Sequence, residues 1–364
     1  MSLLRGSLLL VAGALLLDAQ TQPDVVVFTN GDHLAGHFVK ATNSAVTFKS
    51  DALGDLSIDW SKIKELHTSA NVAVIRKGVK ITKHHNPSDV PQGMLAVENQ
   101  AVQLTPSAGS PIPVADTSAI VDQPEFQKAL TQSAGFFSNW KGALTGGLTL
   151  VQATQNNRTF NTAVSLTRTD PTESWMNPSN RMEVDFAETY GQISQPGTPT
   201  VKTSILHAGA QRDQYFTASL FGFGEAAFDH NFSQGLDLQQ SYDGGIGWTV
   251  VNTAKQIFNV KASMSYIRQQ FATGLSQNLI GSAFSEDYMR KLPRGVVLTE
   301  RAFVTPAWNN TNAYSAAFSA LLSMPVYKHL SGSTGIVDSF LNNPPPGFKK
   351  NSFQLTVGLT YTIQ

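Results

Sequence analysis

The sequence predicts an all-β protein, a transmembrane antiparallel β-barrel of about 12 strands preceded by a small β-rich module. Three observations lead to this prediction. Only 14% of the residues are charged while 41% are hydrophobic, whereas soluble globular proteins carry about 25% charged residues. After the first twenty residues, no apolar run is long enough for a spanning helix, which needs about 20 residues. Beyond residue 140, long segments alternate apolar and small polar residues, as the lipid-facing and lumen-facing rows of a barrel do.

Residues 1–19 have the features of a secretory signal peptide. Arg5 supplies a positive charge, residues 8–17 form an apolar core, and Ala19 is the expected last residue to be removed. The chain contains no cysteine, which suits a Gram-negative envelope protein better than a secreted eukaryotic protein of this size. Its formal net charge is zero, so no basic field predicts a nucleic-acid partner.

Residues 20–120 predict a small β-rich module on the periplasmic side. An apolar strand at 25–28 is followed by Asn30-Gly31, a strong hairpin signal. Further short strands and closely spaced turns suggest a fold similar to an SH3 or Sm barrel. Residues 121–139 are expected to form a linker with a short helix at 124–132, since Pro124 and Glu125 suit its first turn.

Residues 140–364 predict the barrel. The last segment is the clearest, because residues 353–363 place every apolar side chain on one face and small polar side chains on the other. An even number of strands leaves both barrel termini in the periplasm. The strands are expected to begin near residues 142, 158, 181, 200, 216, 236, 255, 279, 296, 313, 330 and 351.

Two sets of side chains have predicted positions in the barrel. Aromatic residues near strand ends are expected to form girdles at the lipid–water interface: Trp140, Trp175, Tyr190, Trp248, Tyr266, Trp308 and Tyr361. Charged residues on the polar faces are expected to face the lumen, since a charge toward lipid costs about 2–4 kcal/mol at mid-membrane: Glu183, Asp185, Arg268, Arg290 and Arg301. Such charges either line a solute path or cross-link the barrel interior, and both interpretations stay open.

Sequence motifs for catalysis are missing. The chain has no G-x-S-x-G, P-loop or H-E-x-x-H pattern, so we predict no catalytic, cofactor-binding or metal-binding residues and do not expect an enzyme. The glycine clusters at 222–224 and 244–247 are interpreted as packing positions in the barrel wall. A lipid hydrolase would need His207, His230 or His329 beside a serine, which is a less favoured alternative.

Several short motifs occur in a recognisable order along the chain: Asn30-Gly31-Asp32 with Gly36, Asp59-Trp60, Trp140-Lys141-Gly142, Lys349-Lys350-Asn351 and Gly358-Leu359-Thr360-Tyr361. With these landmarks the chain resembles the salt-induced outer-membrane protein family (YdiY-like), a domain of unknown function. The resemblance implies an outer-membrane barrel and no established activity. The chain departs from barrels of this type at its end, which is Gln364 rather than an aromatic residue.

The expected location is therefore the bacterial outer membrane, with the N-terminal module in the periplasm. The expected partners are outer-membrane lipid, the barrel assembly machinery, and a periplasmic partner or cell-wall polymer bound through residues 20–120. Three roles remain open: a narrow solute pore or structural envelope element, a binding platform anchored by the barrel, and a barrel-embedded lipid hydrolase. A soluble secreted β-protein is the least favoured reading.

Overall fold

The computed structural model describes residues 23–83, 85–106, 109–132, 135–152, 156–194, 197 and 199–363. The predicted signal peptide lies outside the described residues. The described chain divides into two compact units: the first ends at Thr131, and the second begins at Gln132 but also includes Lys80–Lys83. No helix among the described residues is long and apolar enough to cross a membrane.

The first unit is a nine-stranded antiparallel sheet. The long strands β2 and β5 each pair with β1 along one part and with β9 along another, which bends the sheet around a core. The strands are β1 Asp24–Phe28, β2 His33–Thr42, β3 Ala45–Ser50, β4 Gly54–Asp59, β5 Ile63–Arg76, β6 Gln92–Glu98, β7 Ala101–Thr105, β8 Ile112–Pro113 and β9 Thr117–Asp122.

Apolar side chains from these strands meet in one buried cluster. Val26, Phe48 and Leu66 are fully buried there, and such burial is the main favourable term in folding. Asp24 is also buried, and its carboxylate accepts hydrogen bonds from the backbone N–H of Phe38 and of Ser69, both at 2.7 Å. The module therefore has its own apolar core and a hydrogen-bonded buried carboxylate.

The predicted hairpin at Asn30-Gly31 is present between β1 and β2. Gly31 has φ of 91°, a left-handed conformation that glycine adopts without steric cost. Asn30 Oδ1 accepts the backbone N–H of Asp32 at 3.1 Å.

A short helix follows β9, as predicted. It is α1, Gln123–Thr131, and it buries Phe126 and Leu130, which lie on one side because residues four apart share a helix face. The first unit thus extends to Thr131. The boundary predicted at residue 120 and the linker predicted at 121–139 lie too early, since β9 and α1 belong to the module.

The second unit is a closed barrel of twelve antiparallel strands in sequence order, with β21 paired to β10. Each strand begins within four residues of its predicted start. The strands are β10 Lys141–Gln152, β11 Asn156–Asp170, β12 Asn180–Ser194, β13 Val201–Tyr215, β14 Leu220–Asn231, β15 Leu236–Asn252, β16 Gln256–Phe271, β17 Ser276–Lys291, β18 Val297–Thr305, β19 Ser315–Tyr327, β20 Leu330–Leu341 and β21 Asn351–Ile363.

The barrel wall is apolar outside and polar inside. In β21, Phe353, Leu355 and Leu359 are exposed, while Ser352 and Thr360 on the opposite face are buried. In β16, Gln269 is only 1% exposed but Met264 is 63% exposed. A closed antiparallel barrel with an even strand number and this inverted polarity has the architecture of bacterial outer-membrane barrels.

Two places in the wall depend on glycine. A Cβ on Gly247 would overlap the ring of Phe221, and a Cβ on Gly358 would overlap the carbonyl oxygen of Gly146. The first confirms the packing role predicted for part of the cluster at 244–247. The second lies next to the seam between β10 and β21, which pairs Gly142–Gly146 with Leu359–Ile363.

Candidate functional site in the barrel lumen

Three of the five predicted lumen charges meet inside the barrel. Arg301 lies on β18, whereas Glu183 and Asp185 lie on β12, six strands away in the ring of twelve. The Arg301 guanidinium nitrogens lie 3.6 Å from Glu183 Oε2 and 3.5 Å from Asp185 Oδ1. On its own side of the barrel, Arg301 Nε donates to Asp287 Oδ1 at 2.6 Å. This side chain therefore bridges the lumen between opposite walls.

The other two predictions, Arg268 and Arg290, were wrong. Arg268 shares the exposed outer row of β16 with Tyr266, while its neighbours Ile267 and Gln269 are buried inside. Arg290 is an odd number of residues from the inward-facing Asp287 on β17, so it points to the opposite side. Both arginines lie within a few residues of a strand end, where a long side chain on the outer wall can extend its charge toward the membrane surface.

A second group of ionic contacts lies beside the Arg301 bridge. Arg181 Nε is 2.6 Å from Asp213 Oδ2 and 3.2 Å from Glu183 Oε1. Lys261 Nζ is 3.0 Å from Asp287 Oδ2 and donates to Gln211 Oε1 at 2.7 Å. These contacts connect β12 and β13 with β16 and β17, so the cross-linking of the interior does not depend on one side chain alone.

His207 extends this network around the inner wall. Its Nε2 lies 2.6 Å from Asp185 Oδ2 and its Nδ1 lies 2.6 Å from Asp229 Oδ1. An ionised carboxylate only accepts hydrogen bonds, so both carboxylates are satisfied when the ring carries both N–H groups. From Asp229 the hydrogen bonds continue through three amide side chains on successive strands, Gln239, Gln269 and Gln277.

The sequence analysis missed this histidine–glutamine network. Each member lies on the inward-facing row of its strand, as Asp185 and Asp213 do. The alternation of residues along each strand was therefore the available signal. Isolated glutamines in β-strands carry no other mark of a role. Their importance depends on pairing between strands that are distant in sequence.

The barrel mouth opposite the chain ends is covered by connecting loops. The β14–β15 connection reaches the opposite wall, where Gln234 Nε2 donates to the carbonyl oxygens of Ser339 at 3.0 Å and Lys350 at 2.9 Å. Leu236 packs with Phe271 and Leu341 in a small buried cluster at this mouth. The β18–β19 connection packs Ala307 and Ala313 against the inward-facing Ile267 and Leu279.

The predicted girdle residues fall near both ends of the wall. Trp140, Trp248 and Tyr361 lie toward the end that holds the barrel termini, and Tyr190, Tyr266 and Trp308 lie toward the opposite end. The rings of Tyr190, Trp248, Tyr266, Trp308 and Tyr361 are exposed. Trp175 is half-buried in the connection between β11 and β12. Their contact with a lipid interface stays a prediction.

The three histidines considered for hydrolysis contact other groups. Both ring nitrogens of His207 are bound by carboxylates, His230 Nδ1 lies 2.8 Å from the carbonyl oxygen of Asp237, and the His329 ring lies 5.9 Å from that of Tyr361. None of these contacts provides the serine that a hydrolase would need. Across the described ranges, no group of three or more His, Cys, Asp or Glu residues is arranged to hold a metal ion.

Comparisons with solved structures find barrels of low sequence identity. The NanC porin shares 7% identity with a TM-score of 0.36, the match covering 61% of this chain and 98% of that chain. The translocator domain of the autotransporter NalP from Neisseria meningitidis shares 10% identity with a TM-score of 0.33, covering 62% and 89%. OccK11 of Pseudomonas aeruginosa shares 6% identity with a TM-score of 0.25, covering 62% and 94%.

Comparison with curated proteins gives no significant match. A family model does match, over residues 144–363, and its description is "Protein of unknown function, DUF481". The match spans almost the whole barrel and more than half of the chain. It confirms the resemblance to a family without an established activity. The chain belongs to the DUF481 family of proteins of unknown function.

Proposed function

We propose that this protein is an outer-membrane barrel with a closed lumen, which serves as a membrane-embedded structural element of the bacterial envelope. The outer wall supports the location, because its exposed apolar rows would otherwise face water. The single observation that carries the closed state is Arg301, which binds carboxylates on opposite walls. The covered mouth supports the same conclusion.

The location has a direct test. The full chain, expressed in a Gram-negative host, is expected in the outer-membrane fraction, with a compact band on a gel that shifts only after boiling. Closed barrels resist detergent unfolding because every strand edge is paired. A soluble protein without this shift would contradict the membrane barrel.

The closed lumen is tested by conductance in planar lipid bilayers. Wild-type protein is expected to show no unitary steps. A variant combining Arg301→Ala with Gln234→Ala loses the lumen bridge and the hydrogen bonds across the mouth, and is expected to show steps. Arg268→Ala is the matched control, since it removes an arginine from the outer wall only. If wild-type protein showed steps as frequent as those of the combined variant, the lumen would be an open pore and the proposed closed barrel would be wrong.

Ion preference sharpens this test. Inward-facing carboxylates outnumber inward-facing basic side chains between the rims of the described strands: Glu183, Asp185, Asp213, Glu225, Asp229, Asp243 and Asp287 against Arg181, His207, Lys261 and Arg301. The opened variant should therefore favour cations, because rings of acidic side chains select them. A preference for anions would contradict this account of the lumen.

A binding platform is a second candidate function. The observation favouring it is the separate core of the N-terminal module, which can present a rigid surface to a periplasmic protein or cell-wall polymer. Full-length protein and a barrel begun at Gln132, both behind a signal peptide, would be compared as bait in envelope extract. Material retained by the full chain but not by the barrel supports the platform, and equal retention contradicts it. Both proteins keep the last strand, β21, with Leu359, Tyr361 and Ile363 near its end. Both should therefore retain the barrel assembly machinery, which recognises the end of the last strand.

A further inference from the structure

The segment just before the barrel exposes aromatic rings. Phe137 is 90% exposed and Phe136 is 56% exposed. The two rings pack edge to face with centroids 5.2 Å apart, and the Phe136 ring also lies 6.3 Å from that of Trp140. Two exposed phenyl rings and the half-buried ring of Trp140 thus form one apolar cluster in residues 135–140.

This cluster sits on an ordered turn. Trp140 Nε1 donates to the carbonyl oxygen of Phe136 at 2.9 Å, and the backbone N–H of Ser138 donates to the carbonyl oxygen of Gly135 at 3.0 Å. Arg168 of β11 donates from Nε to the carbonyl oxygen of Ser138 at 3.1 Å. The turn is therefore fixed to the barrel while its two phenyl rings project away from it.

The position of Arg168 shows which side of the wall the turn occupies. Arg168 is an even number of residues from Phe160, whose side chain is exposed on the outer row of β11. The inward row of the same strand includes Ala163, which pairs with the inward-facing Thr145. The turn therefore lies on the outer wall, continuous with the apolar rows and at the end that holds the barrel termini.

We propose that residues 135–140 form an interfacial anchor, in which Phe136, Phe137 and Trp140 insert into the headgroup region of the lipid leaflet at the terminal end of the barrel. Tryptophan is favoured at this depth because its ring combines an apolar body with a polar N–H edge, and the two exposed phenyl rings gain free energy by leaving water. The lipid surface is the partner because the turn continues the lipid-facing wall. This inference rests on the proposed membrane location.

Site-directed spin labelling tests the anchor in the full chain. The protein has no native cysteine, so each single-cysteine variant carries one nitroxide. Phe137→Cys reports the anchor, Leu355→Cys reports the lipid-facing wall, and Leu53→Cys reports an exposed apolar position of the module, where Leu53 is 67% exposed. Accessibility to oxygen and to a water-soluble nickel complex is measured in phosphatidylcholine–phosphatidylglycerol vesicles, after heat-modifiable migration has confirmed folding.

The expected result places Phe137 between the two references. Its label should be several-fold less accessible to the nickel complex than the Leu53 label, and less accessible to oxygen than the Leu355 label. Equal nickel accessibility at Phe137 and Leu53, with Leu355 in lipid, overturns the anchor alone. A Leu355 label that is also open to the nickel complex overturns the membrane barrel itself.

Discussion

The module and the barrel use the same strand periodicity but turn their apolar faces in opposite directions. In the module, Phe48 and Leu66 are sealed in a core, and polar side chains meet water. In the barrel, Phe353 and Leu355 are exposed, while Asp213 and Gln269 are buried. Both arrangements obey the alternation of side chains along a strand. The surroundings of the sheet decide which face is polar.

Polar interactions also differ between the two units. Among its described residues the module packs a large apolar core and buries few polar groups, such as Asp24. The barrel interior is instead held by ion pairs and amide hydrogen bonds, because a lumen lined with polar groups can satisfy them with one another. Apolar packing therefore dominates in one unit and polar cross-linking in the other.

Matched phenylalanine substitutions give the largest expected difference between the units. Phe48→Ala leaves a cavity in a close-packed core and should cost about 3–5 kcal/mol. Phe353→Ala leaves no cavity, so only the free energy of removing the ring from water, roughly 1.5–3 kcal/mol, is lost. Urea unfolding of the full chain measures both, with proteolysis reporting the module and the heat-shifted band reporting the barrel. Equal costs would mean that Phe353 is also packed in a core.

Adjacent substitutions on β21 test which side of the wall meets lipid. Leu355→Arg puts a charge on the outer face and should destabilise the barrel by about 2–4 kcal/mol. Thr356→Arg puts the same charge on the inner face, where polar groups can contact it, and should cost less. The readout is the folded fraction in vesicles, seen as the compact band. A larger loss for Thr356→Arg would reverse the facing assignment.

The smallest expected effect concerns the end of the module sheet. Burial raises the pKa of the Asp122 carboxyl, and the nearby Glu125 charge raises it further. The folded state therefore binds this proton more tightly than the unfolded state, so the module loses stability as pH rises above the ordinary aspartate range. Asp122→Asn should raise module stability at pH 7 by a few tenths of a kcal/mol, since solvent screens this partly exposed group.

Proteolysis-monitored unfolding at pH 7 and pH 3.5 checks this prediction. The gain from Asp122→Asn should shrink at the lower pH, where the wild-type carboxyl is largely protonated in both states. A gain that persists unchanged at pH 3.5 would show that charge is not its cause.

The strands were predictable because their signals are local. Barrel strands such as β15 and β16 follow short polar turns, and the row Phe353 to Tyr361 shows its facing without any partner strand. The lumen was only partly predictable. The expectation that charged residues on the strands face the lumen was wrong for Arg268, because a one-residue change of parity moves a side chain to the other face.

The contacts that close the lumen could not be read from the sequence. Arg301 and Glu183 are brought together only because the ring of twelve strands closes and sets β18 opposite β12. The same holds for Gln234 and Lys350, which are 116 positions apart. Pairs of this kind depend on the completed topology, and no local pattern encodes them.

The contacts that cover the mouth also indicate when the barrel closes during folding. Hydrogen bonds join the β14–β15 connection to Ser339 of β20 and to Lys350, which directly precedes β21. Contacts between segments distant in sequence cost loop-closure entropy before they stabilise the fold, so we expect them to form late in folding. The covered mouth is therefore a late event, and its protection from proteases would distinguish finished barrels from those still waiting for their final strand.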